Sequence, residues 1–191
     1  MLLVRLDKNI PECWSLYPTF EQRIVTFAER YTKCVPIDLL RETNQRRWVT
    51  TPLACGYWLF LEKGGIAVGH LLSYVAGDEF GRPFVEFYQL ECDSGYSMIS
   101  ILPKLGRDFM DWIHSVNQAY ERQGNPYRVT HGFLSTWHER AAYARFINIS
   151  GLKFTEQRRV LVTAFDSYTD KTEHSVELES TSNEGIAEPK H

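Results

Sequence analysis

Tyr57-Trp-Leu-Phe-Leu-Glu-Lys63, Gly64-Gly65 and Ile66-Ala-Val-Gly-His-Leu-Leu-Ser-Tyr-Val75 form the stretch whose reading decides the fold. Two runs rich in aromatic and aliphatic residues, joined by paired glycines, predict two antiparallel strands in a tight hairpin. The turn needs left-handed backbone, which glycine adopts without a Cβ clash. Gly77-Asp-Glu-Phe-Gly-Arg-Pro83 then supplies a second turn, and Phe84-Val-Glu-Phe-Tyr-Gln-Leu-Glu-Cys92 alternates into a third strand. Three consecutive antiparallel strands are therefore expected.

Moving toward the C-terminus, Leu102, Leu105, Phe109, Trp112, Ile113, Val116 and Tyr120 recur with the helical period, which predicts the longest helix between Ile99 and Arg122. Pro103 fits only near its start, so the N-terminus is expected close to Ile101 or Leu102, and Gly124-Asn-Pro126 ends it. Tyr127 to Leu134 reads as a strand. Ser135 to Ile149 reads as a helix, with Trp137, Ala141, Ala144, Phe146 and Ile147 apolar and Gly151 as its stop. Leu152-Lys-Phe-Thr155 and Arg159 to Phe165 close the body as one bent strand or two short ones.

Moving the other way, Leu2 to Leu6 predicts a short opening strand that Asp7-Lys-Asn-Ile-Pro11 breaks. Thr19 is a candidate N-cap, with Gln22 three residues on, for a helix carrying Phe20, Ile24, Phe27, Ala28 and Tyr31. A shorter helix is expected from Pro36 to the stop at Thr50-Thr-Pro52. The order β, α, α, β, β, β, α, β, α, β, β predicts an α+β fold. Its mostly antiparallel mixed sheet would have six or seven strands and about four flanking helices.

Composition sets the limits. The chain has 191 residues, 43% apolar and 14% aromatic, which suits one domain with its own core. Of the 26 aromatic residues, 25 precede Ser167. Residues 1–166 carry 19 basic and 18 acidic side chains, and residues 167–191 carry 2 and 6. The body is thus expected to be one domain. The acidic tail, 167–191, is expected to stay disordered unless a partner in an assembly holds it. A balanced body lacks the basic face that phosphate neutralisation needs, so nucleic-acid binding is not expected.

The apolar runs Tyr57 to Leu61 and Ile66 to Gly77 fall well short of the roughly 20 residues that span a bilayer. Met1-Leu-Leu-Val4 is broken by Arg5, Asp7 and Lys8, so no secretory leader is expected. A cytoplasmic protein, or one packaged from a cytoplasm, is the expectation. Cys13, Cys34, Cys55 and Cys92 are scattered without a Cys-x-x-Cys pair, which predicts free thiols and no zinc ladder. His131, His138 and Glu139 have no established metal spacing, and no metal site is expected. Glycine patterns of nucleotide loops and the Gly-x-Ser-x-Gly elbow are absent from the sequence.

Over residues 1–165 the order and punctuation resemble the GCN5-related N-acetyltransferase superfamily. The opening strand and helix, the meander Tyr57 to Cys92 and the closing helix, Gly and strand carry the likeness. Arg145-Phe-Ile-Asn-Ile-Ser-Gly151-Leu-Lys-Phe154 is similar to the Phe-Tyr-x-x-x-Gly-Phe segment of such enzymes. The resemblance implies that the fourth and fifth strands splay and that acetyl-coenzyme A lies in the opening. Its pyrophosphate would rest on backbone amides of Gly95, Tyr96, Ser97 and Met98, where unsatisfied donors suit an anion. An acetyl group would pass to an amine of unknown identity.

Glu86, Glu91 and Asp93 lie on or just after the fourth strand, where a base could take the amine proton, and Glu91 is the better candidate because it is nearest the loop. Strict alternation from Phe84 sets it on the face of Phe87 and Gln89, away from Glu86 and Tyr88. Ile147 stands where the family often has a general-acid Tyr, so Tyr143, one turn earlier, is the candidate acid. The alternative implied by the same likeness is an inactive structural or binding protein of this fold, such as a bacteriophage virion component.

Overall fold

The computed structural model describes residues 1–31, 36–135, 151, 154–157 and 160–164. Strand β1 (Leu2–Arg5) leads into helices α1 (Pro11–Tyr31) and α2 (Ile37–Thr50), then a 3-10 turn (Pro52–Ala54). Strands β2 (Cys55–Leu61), β3 (Ala67–Gly77) and β4 (Pro83–Cys92) follow, then α3 (Leu102–Arg122), β5 (His131–Ser135), β6 (Phe154–Gln157) and β7 (Val160–Ala164). They form a seven-stranded sheet in the order β1-β2-β3-β4-β5-β7-β6. Every neighbouring pair is antiparallel except β4 and β5, which run parallel across the α3 crossover. The expected closing helix and the acidic tail lie outside the described residues.

The meander forms where the turn chemistry placed it. Gly65, at φ +79°, donates its N–H to the Glu62 carbonyl, and Glu62 donates to Ile66 at 3.0 Å. All seven residues of β2 are buried, because helices cover both faces of the sheet. Tyr57, Leu59 and Leu61 point to the α1 and α2 side, where Phe20, Ile24, Leu40 and Trp48 meet them. Trp58 and Phe60 point to the α3 side, against Leu105, Phe109 and Trp112. Phe109 stacks on Phe87 with centroids 4.8 Å apart and on Trp58 at 5.5 Å.

Helix α1 starts eight residues before the expected Thr19 cap. Asp7 turns the chain, its carboxylate accepting the Asn9 N–H at 2.8 Å and its carbonyl the Ile10 N–H at 3.0 Å. Pro11 then opens the helix, where its missing N–H costs nothing. The buried stripe Cys13, Tyr17, Phe20, Ile24 and Ala28 runs back past Thr19, which places Thr19 inside the helix. Strand β5 likewise begins at His131 and not at Tyr127. Asn117 of α3 donates to the Val129 carbonyl at 3.0 Å and accepts the Val129 N–H at 2.7 Å, so a side chain takes the place of a strand neighbour.

A bulge in β4 corrects the expected facing of its side chains. Leu72 opposes Gln89 while Ser73 opposes Phe87, which leaves Tyr88 as the extra residue. Val85 and Phe87 pack toward α3, and past the bulge Leu90 does so. Glu91 opposes His70, and Glu86 opposes Tyr74. Glu91 therefore shares the α1 side with Glu86 and Gln89 and is separated from Phe87, contrary to strict alternation.

Candidate functional site

Parallel pairing of β4 with β5 covers only Val85↔Gly132, Glu86↔Phe133 and Phe87↔Leu134. The next residues, Tyr88 and Ser135, do not pair. Ser135 stays with Val160 of β7, and β4 runs on to Cys92 along β3. Among the described residues the pairing of the two strands ends at the bulge. From Tyr88 to Cys92 the β4 edge facing away from β3 has no strand partner among the described residues.

Asp93 closes the β3 ladder by donating its N–H to the Val68 carbonyl at 2.8 Å. Asp93 to Tyr96 then make a turn, with Gly95 at φ +92° and the Tyr96 N–H on the Asp93 carbonyl at 3.2 Å. The Met98 carbonyl accepts the N–H groups of Ile101 and Leu102, Leu105 donates to Ile101, and Pro103 has no N–H to offer, so most of the first turn of α3 is spent on its own contacts. Of the four amides expected to bind an anion, that of Tyr96 is engaged. No hydrogen bond among the described residues engages those of Gly95, Ser97 or Met98. The Tyr96 hydroxyl donates to Glu62 at 2.8 Å, and the Ser97 hydroxyl oxygen accepts the Ile99 N–H at 3.4 Å. Met98 packs its side chain on the α3-side core.

Beside this loop lies a charged cluster. Arg23 and Arg30 are seven residues apart on α1, two turns, and so share one helix face. The Arg23 guanidinium grips both oxygens of Asp93 at 2.8 and 2.7 Å and reaches Glu91 Oε2 at 3.3 Å. Arg30 donates to Glu91 Oε1 at 2.7 Å. The Glu91 side chain is 11% exposed, that of Arg23 18% and that of Arg30 54%, so one guanidinium is half-buried against the carboxylate and the other caps it from solvent. The hydrogen bonds from Arg23 hold the Asp93 carboxyl below its usual range and push Arg23 up in turn.

Under the cluster, His70 Nε2 donates to the Gln89 side-chain oxygen Oε1 at 3.0 Å, a tautomer fixed by that acceptor. Its Nδ1 has no hydrogen-bond partner and faces Glu91 Oε2 at 4.0 Å. Phe20 and Phe27 present their rings to it nearly at right angles. Burial pulls the imidazole down to about 4, so His70 is neutral at physiological pH.

Tyr143, His138 and Glu139 lie outside the described residues. Among those described, no group of three His, Cys, Asp or Glu side chains could hold a metal ion, and His131 instead stacks on Phe84. Also among them, Cys13, Cys55 and Cys92 are free thiols and no helix is long and apolar enough to cross a membrane. A surface concavity of about 660 Å³ between Asp78, Arg82, Tyr127 and Arg128 sits at the other end of β4, apart from the cleft. Sequence reading missed Arg23, Arg30, His70 and Gln89. Only the seven-residue spacing of the two arginines and a lone histidine inside an apolar run marked them.

No protein-family model matches the chain, and no curated protein does. Solved structures do. It is similar to Tetrahymena GCN5 with a TM-score of 0.51 and 10% identity, over 89% of this chain and 99% of that one. It is similar to a variant of spermidine N-acetyltransferase from Vibrio cholerae with a TM-score of 0.51 and 11% identity, over 91% and 100%. The chain has the GCN5-related N-acetyltransferase fold. The end of the β4–β5 pairing, the loop 93–98 and the α1 arginines lie along the last part of β4, and that is the candidate site.

Proposed function

We propose that this chain is an N-acyltransferase that moves an acetyl group from acetyl-coenzyme A to an amine. The observation that carries the reading is the end of β4–β5 pairing before Tyr88 and Ser135, with β4 running on into a loop where no described residue engages the amides of Gly95, Ser97 and Met98. The residues fit the cofactor. The free β4 edge offers donors and acceptors to a pantetheine arm, and Gly95, Ser97 and Met98 offer N–H groups to a pyrophosphate. Asp93, whose charge would oppose one, is already neutralised by Arg23. When bound, acetyl-coenzyme A supplies an activated thioester.

One C–N bond forms as one C–S bond breaks, and the amine sheds a proton. Glu91 is the proposed acceptor of that proton, and Arg30, the exposed partner, must release Oε1 for it to act. Tyr143 is the proposed donor to the leaving sulfur. Positioning of the two reactants supplies much of the rate in such a transfer. Titration calorimetry with acetyl-coenzyme A tests the reading, together with thiol release over a panel of amines including spermidine and lysine peptides. Micromolar binding with release is expected, and no heat at millimolar ligand refutes it.

A second reading is favoured by one observation, that guanidiniums occupy both oxygens of Glu91. On it the chain is an inactive structural or binding protein, attached to an assembly such as a virion through residues 167–191. Binding without thiol release from any amine would select it.

A further inference from the structure

Arg23 and Asp93 are 70 residues apart in sequence and meet end-on, Nη1 and Nη2 each donating to one carboxylate oxygen, at 2.8 and 2.7 Å. The contact is not needed to hold α1 down. Phe20 and Ile24 are fully buried beneath that helix, and an ion pair with one partner 40% exposed adds little to stability. What the contact does is local. Asp93 is the first residue of the loop, its backbone fixed on Val68, and Gly95 follows two residues later. A planar fork on both carboxylate oxygens fixes the direction of the side chain as well as its charge.

We infer that Arg23 is a positioning residue for the anionic part of the loop's ligand. By cancelling the Asp93 charge, it lets Gly95, Ser97 and Met98 present their amides to a pyrophosphate without a repelling neighbour. This rests on the acetyl-coenzyme A reading and adds to it a residue on a different element, α1. The sequence alone places an uncompensated carboxylate beside the anion. At about 7 Å, the reach of two residues, a carboxylate weakens a doubly charged group roughly tenfold even in a water-like medium.

The test compares coenzyme A with pantetheine, which lacks the pyrophosphate, by titration calorimetry on the wild type, Arg23→Met, Asp93→Asn and the double variant. Arg23→Met should weaken coenzyme A about tenfold and leave pantetheine within about twofold, and adding Asp93→Asn should restore most of the loss. An equal loss for both ligands, unchanged binding, or a double variant no better than Arg23→Met would overturn the inference. Should Arg23→Met not give a cooperative melt, Asp93→Asn alone decides. It frees the charge of Arg23, so coenzyme A should bind several-fold tighter with pantetheine unchanged, and the absence of tightening overturns the inference. If the wild type binds neither ligand, the acetyl-coenzyme A reading itself fails and this inference falls with it.

Discussion

Lowering the pH from 7 to 5 should destabilise the protein through His70. The ring is fully buried, hydrogen-bonded at Nε2 to Gln89, and pulled down to about 4 in the folded chain from an ordinary value near 6.5. Phe20 and Phe27 flank it, and the charged groups around it are Glu91, Asp93 and Arg23. Below pH 6.5 the unfolded chain takes up a proton that the folded chain refuses, so stability falls as pH falls and levels off below about 4. The two values imply a loss of about 2 kcal/mol between pH 7 and 5, growing to about 3 kcal/mol at lower pH. Urea unfolding at pH 5, 6 and 7 measures it, with His70→Gln as the reference that keeps a donor for Gln89 and cannot titrate. The wild type should lose about 2 kcal/mol more than the variant over that range. Equal losses would refute the reasoning, because they would mean that a charged His70 pairs with Glu91 inside the fold.

Three further outcomes are expected. A Cβ on Gly69 would come within 2.5 Å of both the Glu91 carbonyl oxygen and the Phe60 ring. Gly69→Ala should therefore cost about 1–3 kcal/mol in urea unfolding and, by pushing the end of β4 outward, weaken acetyl-coenzyme A binding; an unchanged midpoint counts against the packing. Asn117→Ala leaves both backbone groups of Val129 without their partner, so a loss of about 2–3 kcal/mol is expected, and less than 0.5 kcal/mol would show that the segment 127–130 pairs elsewhere. Glu91→Gln should lower kcat about 100-fold with little change in KM for acetyl-coenzyme A, and an unchanged kcat would remove Glu91 as the base.

Most of the sheet was legible because its signals are local. Gly64-Gly65 and the turn before Pro83 set the meander, and seven apolar residues at the helical period set α3. The start of α1 was not, because Pro11 ends a strand pattern as readily as it opens a helix. The stripe settles it, since Cys13 and Tyr17 extend the buried face backward from Phe20. The loss of Tyr127 to Thr130 from β5 depends on Asn117, ten residues earlier on another element, and no pattern within the segment records it.

The bulge at Tyr88 left a trace that alternation conceals. The apolar positions Val85 and Phe87 are odd, and Leu90 and Cys92 are even, so the parity switches across Tyr88 and Gln89. That one inserted residue has two effects. It turns Glu91 toward α1, where Arg23 and Arg30 meet it, and it sits where β4 stops pairing with β5. A strand that kept its alternation would send Glu91 to the α3 side, beyond reach of either arginine. The direction of the candidate base and the point at which the cleft opens therefore depend on the same irregularity. The identities of the groups that meet there depend instead on how α1 is rotated on the sheet, which the burial of Phe20, Ile24 and Ala28 fixes. That rotation is a tertiary fact, and it is why two arginines more than 60 residues from Glu91 and Asp93 could not be assigned to the site from spacing alone.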